Sequence, residues 1–353
     1  MKLLVIGYST RSLAESLSAE PHDITVIDAF CDTDLERMGI RAYRSLEESG
    51  VGAIKFDGVL YASGPEHSPD ALRAARALRI YGNPPETLEA LSDTRAFYAF
   101  LDEADIPHPE VFFEGEALPP GEFLFKSTLR DGGTGVSRAD AAIVPPEHIA
   151  QRFVKGTPCS FAFFADGHSC EGIGICEQLI GEKAFGAQGF LYNGNIVVHR
   201  RFSEEFFQRL EGIANKLTRR YGLCGANGFD FMLLEGGGAC LLELNPRWCA
   251  SFELYERMYG CSIARAQVLG TPPVRGEAQS SALGKAVLYA HSDYTVPEDA
   301  GGWYDGGIRD VPHVGEFIPQ GYPICTVFAS GVDRDDCYRK LIDRSKPILK
   351  GKD

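Results

Sequence analysis

Short apolar runs and amphipathic stretches alternate over the first ninety residues. KLLVIG (2–7) is a continuous apolar run of strand length, TRSLAESLSAE (10–20) has helical spacing, and DITVIDAF (23–30) and FDGVLYASG (56–64) are two more strands. ALRAARALRIYG (71–82) predicts a helix stopped by its glycine. Such alternation implies a parallel, doubly wound sheet, because parallel strands need helical crossovers. The first turn reads Gly7-Tyr8-Ser9-Thr10-Arg11-Ser12. It lacks the G-x-G-x-x-G that brings backbone against a pyrophosphate, so a nicotinamide-dinucleotide domain loses its main support.

Beyond residue 90 the texture changes. DTRAFYAFLDEADI (93–106) predicts a helix ending before Pro107, and strands with glycine-rich turns follow from Glu122. Residues 203–222 form an amphipathic pattern with Phe206, Phe207, Leu210, Ile213, Ala214 and Leu217 on one face. Acids open it and arginines close it, as the helix dipole favours. FDFMLL and ACLLELN, joined by EGGG, read as a hairpin. A Pro/Gly/Ser-rich stretch (271–281) leads to a third segment beginning with the strand ALGKAVLYA.

The 353 residues suit two or three domains, and 44% hydrophobic residues can build a core. A formal net charge of −14 argues against nucleic acid, whose phosphates need a basic face. No apolar run approaches the roughly 18 residues of a membrane span, and the N-terminal run is short for a signal peptide. The ten cysteines never occur as C-x-x-C or near histidines at zinc spacing. They read as reduced and mostly buried, and the expected location is the cytoplasm.

Candidate chemistry concentrates in two places. On the hairpin, Asp230 lies on the first strand, while Glu243 and Asn245 lie two apart on the second and share a face. Two carboxylates and an amide oxygen make a hard oxygen site suited to Mg²⁺ on phosphates. Acids flanking a hairpin are commonly solvated, but Glu243 interrupts the apolar run CLLELN, where a carboxylate needs a partner or a metal. Pro246 then ends the strand and Arg247 supplies a fixed cation. The second place is FLFKSTLRDGGTGV (123–136): a strand delivers Lys126, and Gly132, Gly133, Thr134 and Gly135 form a loop whose N–H groups can line a phosphate nest. A glycine loop alone is equally explained by a tight hairpin, and no G-K-[ST] follows it.

K-x₅-GGTGV followed by D-x₁₂-E-x-N-P-R resembles the ATP-grasp superfamily, in a branch of carboligases related to biotin carboxylase. The resemblance implies an N-terminal Rossmann-like domain (1–92), an ATP-grasp domain of two lobes (93–270) and a small β-rich C-terminal domain (282–353). The fold class is thus α/β with α+β lobes. It makes Lys126 an ATP-phosphate ligand and Gly132 to Gly135 a lid, with Asp230, Glu243 and Asn245 as the ligands of two magnesium ions that Mn²⁺ could replace. Arg247 then faces an acyl phosphate. QRFVKGTPCSF (151–161) matches the linker between the lobes, where Arg152, Phe153 and Val154 would meet adenine. Gln151 and Arg152 stand where the family often has Glu and Lys, and Arg95 stands where many members have the lysine of an Asp-Lys pair. Ser251 and Arg201, with His199 and Arg200, are further candidates for substrate contacts; a capping serine and a structural histidine are their plainer readings. The implied activity is ATP-dependent carboxylate–amine ligation through an acyl phosphate, with amino acid–amine joining in cofactor biosynthesis as one instance. A bicarbonate-activating carboxylase and a non-catalytic nucleotide-binding regulator are the rivals. Small-molecule acids and amines are the expected partners, a homodimer is compatible with the resemblance, and neither nucleic acid nor membrane is expected.

Overall fold

The structure, a computed structural model, describes residues 1–49, 55–66, 72, 78–130 and 132–349. The N-terminal apolar runs become β1 (Lys2–Gly7), β2 (Asp23–Asp28), β3 (Arg41–Tyr43), β4 (Gly58–Tyr61) and β5 (Arg79–Ile80). They form one parallel sheet in the order β3-β2-β1-β4-β5. Helices α1 (Arg11–Ser18), α2 (Thr33–Arg37) and α3 (Leu46–Ser49) connect its first strands. The helix expected over 71–82 needs correction at its end. Arg79–Ile80 pairs with Gly58 and Val59 as a strand, and residues 71 and 73–77 lie outside the described residues.

Two more helices, α4 (Pro85–Ser92) and α5 (Thr94–Glu103), lead out of this domain; the Asp93 side chain caps α5 by accepting from Ala96 N–H at 3.0 Å. Next comes a small antiparallel sheet of β6 (Val111–Phe113), β7 (Phe123–Ser127), β8 (Val136–Arg138) and β9 (His148–Arg152), ordered β6-β9-β7-β8. Residues 153–156 then carry the chain to a larger sheet. That sheet contains β10 (Thr157–Asp166), β11 (Cys170–Ile180), β12 (Tyr192–Val198), β13 (Cys224–Leu233) and β14 (Ala239–Asn245).

The third segment contributes to the large sheet. Its long strands, β15 (Ala282–Tyr289) and β18 (Pro323–Gly331), join the large sheet in the order β14-β13-β10-β11-β12-β15-β18. The short β16 (Tyr294–Thr295) and β17 (Phe317–Ile318) pair only with each other. Helix α6 (Glu204–Tyr221) covers one face of the large sheet, burying Phe206, Leu210 and Leu217 against Phe161, Phe163, Phe229 and Phe231. Its predicted ends hold: Ser203 accepts from Phe206 N–H, and Gly222 closes it at φ 64. On the opposite face, α7 (Phe252–Tyr259) and α8 (Ile263–Leu269) pack together with the N-terminal domain in one apolar cluster. Helix α9 (Arg334–Leu349) closes the end of the sheet beneath β15 and β18.

A buried charge network ties the three parts of the chain together. Arg11 of α1 is 2% exposed and pairs with Glu253 of α7, Asp310 of the C-terminal segment and its own neighbour Glu15. Lys285 of β15 donates to Glu253 Oε2 at 3.2 Å. Burial opposes ionisation of Glu253, but Arg11 and then Lys285 hold its carboxyl far below the usual range. Removing one member leaves charge buried without compensation, which costs about 3–5 kcal/mol. Glu253→Ala is therefore expected to lower unfolding free energy by about that amount in urea titrations at neutral pH. The sign with pH follows from the depressed folded value: the contribution is present above the ordinary glutamate range and is lost as pH falls through the folded one. The variant should accordingly show a shallower acid decline than the parent.

Candidate active site

The hairpin of β13 and β14 sets the site. Asp230 lies directly opposite Glu243, and Gly228 opposite Asn245. Phe231, however, pairs with Leu241, so one residue, Leu242, is extra. This bulge puts Glu243, rather than Leu242, on the face of Asp230. The carbonyl of Leu242 is released from the ladder and accepts from Tyr98 Oη and Gln151 Nε2, each at 3.3 Å. Gln151 is 3% exposed and also donates to Tyr98 Oη at 3.2 Å. Gln151 thus braces the small sheet against β14.

Lys126 crosses from β7 to this strand and donates to Glu243 Oε2 at 2.7 Å. Its side chain is 16% exposed and that of Glu243 44%. Glu243 is therefore half-exposed, not buried as its apolar surroundings in the sequence suggest. The desolvated carboxylate of the pair is Asp230: burial, then the neighbouring Glu243, pushes it up to about 7, against a hydrogen bond from Gln178. Burial also opposes the charge on Lys126, but Glu243 outweighs it and raises the ammonium above its ordinary value. Two carboxylates with one amine between them leave an excess of negative charge that a hard divalent cation would relieve. Asp230, Glu243 and the Asn245 amide oxygen fit such an ion. Among the described residues there is no cluster of three His, Cys, Asp or Glu side chains for a metal.

Arg247 is held from both sides. Its Nε donates to Glu66 Oε1, and Nη2 donates to Asn245 Oδ1 at 3.0 Å. Glu66 also accepts from Gly64 N–H at 2.6 Å, just after β4. The carbonyl of Pro246 accepts from Asn83 Nδ2 at 2.9 Å and from Tyr61 Oη at 3.1 Å. The N-terminal sheet and the residues after it therefore fix the end of β14 and the direction of the arginine. Glu66, Asn83, Tyr98 and Gln178 escaped sequence reasoning, because each reaches the site from an element remote in sequence.

The glycine loop turns between β7 and β8. Gly132 and Gly133 have φ of 63 and 77. A Cβ on Gly133 would stand 1.9 Å from the Phe190 carbonyl oxygen, so the loop requires glycine there. The Gly132 carbonyl accepts from Tyr192 N–H at 2.9 Å. The loop thus rests on the segment before β12, across from Lys126.

Other candidates fall elsewhere. Phe123 pairs with Arg152 and Lys126 with Ile149, so Arg152 projects from the face of the small sheet opposite Lys126. It bonds Glu110 at 2.7 Å, leaving only its backbone on the linker. Phe153 lies under Arg138, 4.9 Å away, and Val154 is half-buried in the linker. Arg201 binds Glu177 at 2.5 Å. Glu177 pairs with Cys159 and Asp230 with Ser160, so Arg201 serves the sheet face opposite the site. Ser251 is buried at the start of α7 and makes no side-chain cap. His199 Nδ1 is buried without a hydrogen-bond partner among the described residues, and its ring meets Tyr259 edge to face at 6.2 Å. Arg95 is engaged by Glu116 at 2.7 Å and by the ring of Phe113. All ten cysteines are free, five buried and five partly buried. No helix among the described residues is long and apolar enough to cross a membrane.

The small sheet and the large one thus meet through Lys126 and the acidic hairpin, with the glycine turn between β7 and β8 beside them. Residues 91–251 match the family model of the ATP-grasp domain. The chain is similar in structure to N5-carboxyaminoimidazole synthase of Aspergillus clavatus, solved with ADP and 5-aminoimidazole ribonucleotide (TM-score 0.74, 15% identity, 99% of this chain and 98% of that one). Biotin carboxylase of Campylobacter jejuni, solved with an ATP analogue, is similar at TM-score 0.71 and 12% identity, over 99% and 95% of the two chains. L-amino acid ligase of Bacillus licheniformis is similar at TM-score 0.70 and 15% identity, over 98% and 97%. Residues 91–251 are thus an ATP-grasp domain, a fold that implies ATP with magnesium and ATP-dependent ligation.

The raised Asp230 has a consequence for solution behaviour. Its folded value lies above its unfolded one, so the stability it contributes is full at acid pH and lost as pH rises toward 7. Metal-free protein should melt at progressively lower temperature over that interval, and Mg²⁺ with ADP should bind more tightly over the same interval. Asp230→Asn is expected to flatten both trends in thermal melts across a pH series.

Proposed function

We propose that this protein is a carboxylate–amine ligase that forms an acyl phosphate and releases ADP. The observation that carries the reading is the Lys126 contact with Glu243, which joins the small sheet to a strand that bears Glu243 and Asn245 and is followed by Arg247. A cation on one lobe facing carboxylates on the other suits a triphosphate lying between them. Lys126 and the N–H groups of Gly132 to Gly135 would hold the phosphates, with backbone and apolar side chains of 152–154 at the adenine. Magnesium on Asp230, Glu243 and Asn245 would neutralise phosphate charge during transfer.

A carboxylate oxygen of the acid substrate attacks the γ-phosphorus, and the bond to the β,γ-bridging oxygen breaks, giving ADP. The amine nitrogen then attacks the acyl carbon; phosphate leaves and the nitrogen loses a proton. Arg247, fixed by Glu66 and Asn245, stands beside the metal-site strand to balance negative charge on the acyl phosphate. The lid, resting on the segment before β12, keeps water from the intermediate. L-amino acid ligase among the structural neighbours fits this reading. The neighbours that include biotin carboxylase and N5-carboxyaminoimidazole synthase favour a second one, in which bicarbonate is the acid.

ADP release should depend on an added acid, and hydroxylamine should trap the activated acid as a hydroxamate. Bicarbonate-dependent release without hydroxamate from any other acid would select the second reading. Glu243→Gln is expected to lower ADP formation by at least about a hundredfold while leaving the melting temperature of the free protein within a few degrees. Near-normal turnover in that variant would sink the metal assignment.

A further inference from the structure

Residues 181–191 join β11 to β12 along a path that leaves no room for side chains at two points. A Cβ on Gly181 would stand 2.2 Å from the Gly189 carbonyl oxygen, and one on Gly186 would stand 2.0 Å from that of Tyr289. Both glycines have positive φ, 64 and 85, so the conformation demands them as well. Gly181 N–H donates to the Leu191 carbonyl at 2.8 Å, and Asn193 Nδ2 donates to that of Glu182 at 3.2 Å. Phe185 is fully buried in the C-terminal apolar cluster, and Tyr338 Oη of α9 donates to Glu182 Oε2 at 2.6 Å. The connection is a ledge rooted in the C-terminal segment.

The glycine loop lies on this ledge. The Gly132 carbonyl meets Tyr192 N–H, and Gly133 passes against the Phe190 carbonyl. Tyr192, the first residue of β12, is then fixed twice more. Its carbonyl accepts from Tyr289 Oη of β15 at 2.8 Å, and its own Oη donates to Asn195 Oδ1. Asn195 is 1% exposed and donates through Nδ2 to Cys176 Sγ at 3.2 Å. Cys176 Sγ lies 3.0 Å from Ser160 Oγ, and Ser160 stands directly opposite Asp230. Polar contacts therefore run without a break from the loop, through one tyrosine, to the sheet face that carries Asp230. A second tyrosine ties the same junction to β15.

We infer that Tyr192 is a positioning residue that holds Gly132 to Gly135 over a bound nucleotide, and that Tyr289 makes the C-terminal segment part of this latch. The inference rests on the reading in which the loop holds ATP phosphates, whatever acid or amine is joined. Tyr192 meets the loop through its main chain alone, so the two hydroxyls act by fixing where that main chain stands. Each neutral hydrogen bond contributes a several-fold change in an equilibrium, and the pair together about tenfold or more.

Limited trypsin digestion of the full chain reads the latch directly, because Arg130 is exposed and lies two residues before Gly132. Mg²⁺ with a non-hydrolysable ATP analogue should slow cleavage after Arg130, followed by mass spectrometry. Tyr192→Phe combined with Tyr289→Phe should lose about tenfold of that protection, and Tyr289→Phe alone a smaller part, with cleavage elsewhere in the chain unchanged. Gly133→Ala should lose the protection by itself, and adding the two phenylalanines should then change nothing further. Thermal melts report the fold of each variant and the binding of the analogue. Parental protection in the double phenylalanine variant, protection lost equally at every site, or additive effects with Gly133→Ala overturn the inference. An analogue that raises the melting temperature without slowing cleavage in the parent overturns it alone. One that does neither sinks the phosphate-holding role of the loop and the latch with it, whereas missing acid-dependent ADP release sinks only the ligase reading.

Discussion

Between β13 and β14 the ladder accommodates one residue too many at Leu242. Everything the site can do follows from that register. Without the extra residue Leu242 would face Asp230, and Glu243 would point to the other side of the sheet. With it, Asp230 and Glu243 stand opposite one another. The carbonyl that the bulge releases is then used by Tyr98 and Gln151 to bind the small sheet to the large one. A single irregularity therefore sets both the charge density of the site and the contact between the lobes.

That charge density explains the rest of the electrostatics. Two carboxylates on one face of a sheet cannot both ionise cheaply, so Asp230 is pushed toward neutrality while Lys126 leans across to Glu243. A divalent cation and a triphosphate bound there would give these residues stronger partners than one another. Arg247 stays outside this exchange, because Glu66 and Asn245 claim its guanidinium and Asn83 with Tyr61 pins the preceding carbonyl. Its direction is a property of the interface between domains.

The N-terminal domain is consequently more than an attachment. Its strand ends supply Tyr61, Glu66 and Asn83 to the site, and its first helix supplies Arg11 to the buried network with Glu253, Lys285 and Asp310. Because β15 and β18 extend the large sheet, the C-terminal segment shares the core that carries the chemistry.

By itself the sequence determined the parallel N-terminal sheet, the ends of α6, the hairpin with Asp230, Glu243 and Asn245, and the pairing of Lys126 with a glycine turn. These are local signals: apolar period, capping residues and turn glycines act within about a dozen residues. It misled where a side chain's environment is set by distant chain. Glu243 reads as buried yet is half-exposed, Arg152 reads as an ATP contact yet projects from the far face, and residues 79–80 read as helix yet pair with β4. Only the tertiary structure decided the bulge at Leu242, the bracing by Gln151 and the clamp of Glu66 on Arg247. Register and cross-domain contact depend on which strands meet, and periodicity along one strand carries no record of its partner.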